Sequence, residues 1–275
     1  MKTLWAALLV AGLGASTHAE TSEQRGKRVM NEALAAVGGQ AFLNMRNRVE
    51  TGRIYSSYND QISGMAVDAL YTAYLPLPNP PEPGFLGVRV RDARGRKPED
   101  ITGKKQDDVI LYGDGGAYEV TFRGARPLSD ILVQQFRTAT LHNIFYILRQ
   151  RLGEPGMLFD SRGSDFFDNR PVEIVEIGDA NNETVTVYFD QINKLPLRQL
   201  YHRRDPIDHS KLEEVTIYSK YRDVGGGVMW PFAIRRERNG EKIFEMYSES
   251  VEINQDLKDS MFTLPPGLKL LKKDK

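Results

Sequence analysis

Bulky apolar side chains recur at every second residue in several stretches of this chain, and that pattern leaves few folds open. In 85–91, Leu86, Val88 and Val90 alternate with Gly87, Arg89 and Arg91. In 183–189, Val185, Val187 and Phe189 alternate with Thr184, Thr186 and Tyr188, and in 228–234, Val228, Trp230, Phe232 and Ile234 alternate with Met229, Pro231 and Ala233. Successive strand residues point to opposite faces, so this period marks strands whose two faces meet different surroundings. Turn-forming stretches separate the segments: GDGG at 113–116, GDANN at 178–182, DQINK at 190–194, GGG at 225–227 and NG at 239–240. Short turns rich in Gly, Asn and Asp join antiparallel neighbours. The spacing predicts a meander with strands at 46–58, 64–75, 85–92, 107–112, 117–123, 171–178, 183–190, 195–203, 211–224, 228–238 and 241–253.

Two stretches carry the helical period instead. In 22–37, Val29, Ala33, Leu34 and Val37 share a face, Ser22 stands where a cap is needed, and Gly38-Gly39 supplies the left-handed exit; QAFLNM then reads as a short turn. From Ser129 to Leu152, Leu141, Ile144, Phe145, Leu148 and Leu152 fall at helical spacings and Gly153 ends the block. The fold class is therefore α+β: an antiparallel sheet with one apolar face, and helices to cover it. At roughly 25 cal/mol per Å² of apolar surface, leaving several Phe, Leu and Val side chains wet would cost many kcal/mol, so the helices either cover that face completely as a solid core or leave an apolar groove, the default ligand site.

The N-terminus reads as a secretory leader over 1–19, with Lys2 at its start, an apolar run from Leu4 to Leu13 and Thr17-His18-Ala19 as the cleavage site. The run is shorter than the roughly 20 residues of a membrane span. Without any Cys, the chain has neither disulfides nor a thiol for lipid attachment behind the leader, which predicts a soluble periplasmic or secreted protein. Residues 20–267 read as one domain and 268–275, LKLLKKDK, as a basic tail. Because 37 Lys and Arg balance 37 Asp and Glu, a duplex nucleic acid is not an expected partner.

Residues that carry chemistry are sparse. After the leader, His142, His202 and His209 are the histidines that remain. HRRDPIDH at 202–209 places His202 and His209 near Asp205 and Asp208, but Asp205-Pro206 is a turn dipeptide and Arg203-Arg204 would repel a cation, so a solvated hairpin tip is favoured over a metal site. SRGSDFFDNR at 161–170 offers Ser161, Ser164, Asp165 and Asp168 with no His at useful spacing, and GDGG lacks the Lys and Ser/Thr of a phosphate loop. No catalytic residue, metal or cofactor is assigned. YLPLPNPPEPGF at 74–85 is a stiff, proline-rich connector, with a lid over a groove or a docking stretch as the functional alternatives for its 76–84 core.

DVILYGDGGAYEVTF at 108–122, VYFDQINKLPLRQL at 187–200 and INQDLKDSMFTLPPG at 253–267 together resemble the strand-turn-strand, the hairpin and the closing element of the LolA/LolB-like superfamily of periplasmic lipoprotein-sorting proteins, which includes the RseB N-terminal domain. The resemblance implies an open, strongly curved half-barrel of about ten or eleven strands with helices on the concave face. It further implies a carrier of a lipid, a lipoprotein acyl chain or another hydrophobic ligand, working without covalent chemistry beside an inner- or outer-membrane partner. On that reading Leu141, Ile144, Phe145, Leu148, Trp230 and Phe232 line the ligand. The alternatives are an RseB-like scaffold that docks an envelope protein and a hydrolase of unrecognised type.

Overall fold

The structure, a computed structural model, describes residues 19–78, 85–97, 108–113 and 115–273. The leader up to residue 18, the proline-rich stretch from 79 to 84 and the last two residues of the basic tail lie outside the described residues. No helix among the described residues is long and apolar enough to cross a membrane.

The chain opens with α1 (Ser22–Ala36) and α2 (Gly39–Leu43). Thr21, not Ser22, caps α1 in a reciprocal capping box: the Gln24 amide donates to the Thr21 hydroxyl at 3.2 Å and the Thr21 amide to the Gln24 side chain at 2.9 Å. Ser22 instead turns its hydroxyl to the Ser161 carbonyl at 3.0 Å. α1 buries Gly26, Val29, Met30 and Ala33. A Cβ on Gly26 would stand 2.1 Å from the Phe159 carbonyl oxygen, so only glycine lets the helix lie this close to the sheet. Gly38, at φ +123°, turns the chain, and QAFLNM forms most of α2 where a turn was expected.

One antiparallel sheet follows: β1 (Asn47–Tyr58), β2 (Gln61–Tyr74), β3 (Val88–Gly95), β4 (Val109–Gly113), β5 (Gly116–Thr121), β6 (Gly124–Pro127), then, after the helical block, β7 (Leu158–Phe167), β8 (Arg170–Gly178), β9 (Thr184–Asp190), β10 (Pro196–Arg204), β11 (Lys211–Asp223), β12 (Met229–Arg238) and β13 (Glu241–Ile253). Their spatial order is β6-β5-β4-β3-β2-β1-β13-β12-β11-β10-β9-β8-β7. Among the described residues thirteen strands replace the ten or eleven expected. β6 is four residues ending in Pro127, too short to show a period, and β7 is an edge strand whose register shifts between Ser161 and Gly163, which breaks its alternation.

Chain order and spatial order differ at one join, where β1 pairs with β13 and brings the first and last strands together. The outer edges β6 and β7 are consecutive in sequence, so the helical block between them must cross a face of the whole sheet. That block is not one helix. α3 (Asp130–Leu141) ends at His142, and Asn143 caps a new start, α4 (Ile144–Tyr146), by accepting from the amides of Phe145 and Tyr146 at 3.0 and 3.2 Å. A π-helical turn, Ile147–Arg151, completes it.

The main core packs α1, α2 and Ile144–Leu148 against β7 to β13. The sheet is not one-sided elsewhere. Leu111 and its neighbour Tyr112 point to opposite faces; α3 lies on the Tyr112 side, and the closing segment lies on the other, with Phe262 packed on Ala73 and Leu111. Small residues permit that contact: a Cβ on Gly113 would stand 2.0 Å from the Phe262 carbonyl oxygen. Leu264 and Leu268 continue over Ala69, Ala93 and Val109.

Candidate functional site

The second half of the helical block is a fixed plug. Ile144, Phe145, Ile147 and Leu148 are all buried. Phe145 meets Trp230 at 4.6 Å and the edge of Tyr218 at 5.2 Å between ring centres. Polar anchors hold the plug as well. The Gln199 side-chain oxygen accepts from the Ile144 amide at 2.9 Å and from the Tyr218 hydroxyl at 2.8 Å. The Arg149 guanidinium donates to the carbonyls of Phe42 and Met45. Arg151, 5% exposed, donates to Glu154, to Asp179 at 3.0 Å and to the Leu141 carbonyl at 2.9 Å.

α3 is seated differently. It has no buried residue at all, and Ile131, Leu132 and Val133 are 44%, 46% and 38% exposed. Phe136 stacks on Tyr112 of β4 at 3.7 Å, and Asp130 pairs with Lys273 at 2.7 Å. At its far end His142 stacks on Tyr201 of β10 at 4.5 Å. In a flat sheet β4 and β10 would lie seven strand spacings, about 34 Å, apart. Six helical residues advance only about 9 Å, so the sheet must curl for one helix to touch both strands. Between α3 and the tips of the β8–β9 and β10–β11 hairpins lies a cleft of about 1010 Å³. Ile131 and Leu141 give it apolar surface on the helix side, and Asp179, Glu183, Arg203 and Lys211 line the opposite bank.

The six residues expected at a ligand therefore divide. Leu141 lines the cleft. Ile144, Phe145, Leu148, Trp230 and Phe232 are between 0% and 7% exposed and belong to the packed core. The Trp230 indole N–H is buried without an acceptor, and the Arg48 guanidinium lies 3.9 Å from its ring centre.

Groups with reactive potential are occupied by structure. His142 is buried, its Nδ1 donates to the Thr138 carbonyl at 2.7 Å, and its Nε2 is 3.8 Å from Glu183. Burial holds its pKa below the ordinary value, so the ring is neutral at neutral pH. The Ser161 hydroxyl accepts from the Gly163 amide in the bulge. In the HRRDPIDH hairpin, Asp205 accepts from the amides of Ile207 and Asp208, which is turn chemistry, and His202 stands 3.6 Å from Glu213. No group of three metal-ligating side chains occurs among the described residues.

What the sequence reading missed is a charged wall on the same face. Arg48 and Glu50 of β1, Asp68 of β2 and Glu214 of β11 are 7%, 1%, 4% and 5% exposed. Glu50 is paired to Arg48 and accepts from Ser248; Glu214 accepts from Arg203 and Arg238. Arg94 grips Asp92 and lies 3.8 Å from Asp68. Burial, and then the charge and hydrogen bond of Asp92, push the Asp68 carboxyl up to about 9. Charged residues at alternate positions inside strands, as in Arg48-Val49-Glu50, are the signal that marks this wall.

No family model matches the sequence, and no curated protein sequence matches it. Solved structures do. A DUF1329 family protein from Desulfovibrio piger is similar over 88% of this chain and 98% of its own, at 12% identity and a TM-score of 0.54. A domain described as an outer membrane lipoprotein-sorting protein from Vibrio parahaemolyticus is similar over 87% of this chain and 97% of its own, at 13% identity and a TM-score of 0.50. At such identities the likeness is one of fold, and it agrees with the LolA-like architecture that the turn motifs resemble.

Proposed function

We propose that this protein is a periplasmic carrier that shelters an acyl chain of a lipid or lipoprotein between the concave face and α3, and hands it on without covalent chemistry. The observation that carries this reading is the unequal seating of the helical block. Ile144–Arg151 is pinned by core packing and by Gln199, while α3 spans the mouth of the sheet with no buried residue and three exposed aliphatic side chains. A helix that exposes Ile131, Leu132 and Val133 keeps apolar surface in reserve for something other than its own sheet. Swinging α3 outward widens the cleft on its Ile131 and Leu141 side. The charged bank suits the polar end of an amphipathic molecule, and the helix side with Ile131 and Leu141 its chain. The family likeness supports the same class of cargo, since one similar structure is described as a lipoprotein-sorting domain.

The test titrates the mature protein with a fluorescent fatty acid and follows Trp230 emission. The chain has no Cys, so Tyr112→Cys with Phe136→Cys can be joined by a short reducible bis-maleimide that locks α3 to β4. Uptake at micromolar ligand is expected for the free protein, loss of uptake for the locked one, and recovery on reduction. Equal uptake with the helix locked removes α3 as the gate, and no uptake by the free protein ends the carrier reading.

A further inference from the structure

At the corner where β5, β6 and the C-terminal segment meet lies a second concavity, of about 640 Å³, and its ionisable lining is entirely basic: Arg123, Arg126, Lys269, Lys272 and Lys273. The tail is built into the sheet here and does not trail from it. The Ala125 amide donates to the Lys269 carbonyl at 2.9 Å and the Leu271 amide to the Ala125 carbonyl at 2.8 Å, so the segment lies along the outer edge of β6. Gly124, at φ +134°, makes this possible, because a Cβ there would stand 2.3 Å from the Lys269 carbonyl oxygen. The lysines are thus held at fixed places beside Arg123 and Arg126. Among the described residues, Glu119 lies 4.0 Å from Arg126 and Asp130 lies 2.7 Å from Lys273. Positive charge still dominates the corner, in a chain whose 37 Lys and Arg balance 37 Asp and Glu overall.

Apolar side chains stand among these cations. Phe122, on the β5–β6 turn, is 79% exposed with the Arg123 guanidinium 5.3 Å from its ring centre, and half-buried Leu271 lines the same concavity. A soluble anion or an acidic peptide would satisfy the lysines and leave Phe122 in water. A bilayer surface takes both, with phosphates for the cations and the headgroup–acyl boundary for the aromatic and aliphatic groups. We propose that this corner docks the protein onto the anionic headgroups of a phospholipid bilayer. The corner touches the α3 cleft through the Lys273–Asp130 ion pair and otherwise has its own lining.

The experiment is flotation of the mature protein with phosphatidylcholine vesicles, with and without phosphatidylglycerol, across a salt series. Binding is expected on the anionic vesicles alone and is expected to fade as salt screens the headgroups. Reversing three charges, Arg123→Glu with Lys269→Glu and Lys272→Glu, should weaken it by roughly a hundredfold or more. Phe122→Ser should weaken it severalfold with the salt dependence unchanged, and it keeps the inference testable should the triple variant fail to fold, which a thermal melt reports. Equal binding to both vesicle types, wild-type affinity in either variant, or binding of inorganic phosphate without vesicle binding would each overturn the inference.

Discussion

Asp68 shows how far one side chain can depart from its ordinary chemistry on this sheet. It sits 4% exposed on β2 against Asp92, and burial first, then the Asp92 charge, lifts its pKa from 3.8 to about 9. The folded state therefore holds a proton that the unfolded chain releases near pH 4. Between about pH 4 and pH 9 the native state binds more protons than the unfolded one, so stability must fall as pH rises through that window. Asp68→Asn keeps the shape and the donor of the protonated acid without the titration. Its melting temperature should match wild type near pH 4 and exceed it increasingly toward pH 9; a constant difference over that range would show that this carboxyl titrates like any surface acid.

At the scale of elements, the break at His142-Asn143 turns one stretch of sequence into two parts with different jobs. The Asn143 side chain starts α4 afresh and Gln199 and Arg149 tie it down, while α3, held by a stacked ring pair, an ion pair and the Arg151 bond to its last carbonyl, buries no residue. Segments with little burial open most easily. Hydrogen exchange should therefore run much faster in 130–141 than in 144–151, and Phe136→Ala should speed it further while shifting global stability by less than about 1 kcal/mol, because the side chain is not buried. Matching protection along the whole block would contradict a loosely seated α3. The plug responds in the opposite way: Gln199→Leu strands the Ile144 N–H and the Tyr218 hydroxyl in the core and should cost about 1–3 kcal/mol in a denaturant titration.

For the molecule as a whole, the β1–β13 pair decides whether there is one sheet or two. It joins β1–β6 to β7–β13 and leaves β6 and β7 as outer edges, which is what sends the helical block across the concave face. Gly52 marks a register shift in this join, and a Cβ there would stand 2.2 Å from the Tyr247 carbonyl oxygen. Gly52→Val should lower stability by about 2–3 kcal/mol, with Trp230 fluorescence and far-UV circular dichroism losing signal together in urea. Transitions that separate would mean that the halves unfold independently and that the join is not what unites them.

Strands were readable from the sequence because their signal is local. Val185, Val187 and Phe189 declare a face by spacing alone, and Asn239-Gly240 declares the turn that reverses it. α1 and the boundaries of most of the meander follow from the same short-range rules. β7 was hidden because an exposed edge with a bulge at Gly163 shows no clean period, and the break in 129–152 because apolar spacing runs on through Asn143. Alternation also places Trp230 and Phe232 on strand faces without saying what covers them. Whether a face is packed shut, as behind Phe145, or left open, as beside α3, depends on how far the sheet curls and how much volume the helices bring to it. Both are sums over the whole chain that no local pattern contains, and only the tertiary structure fixes them.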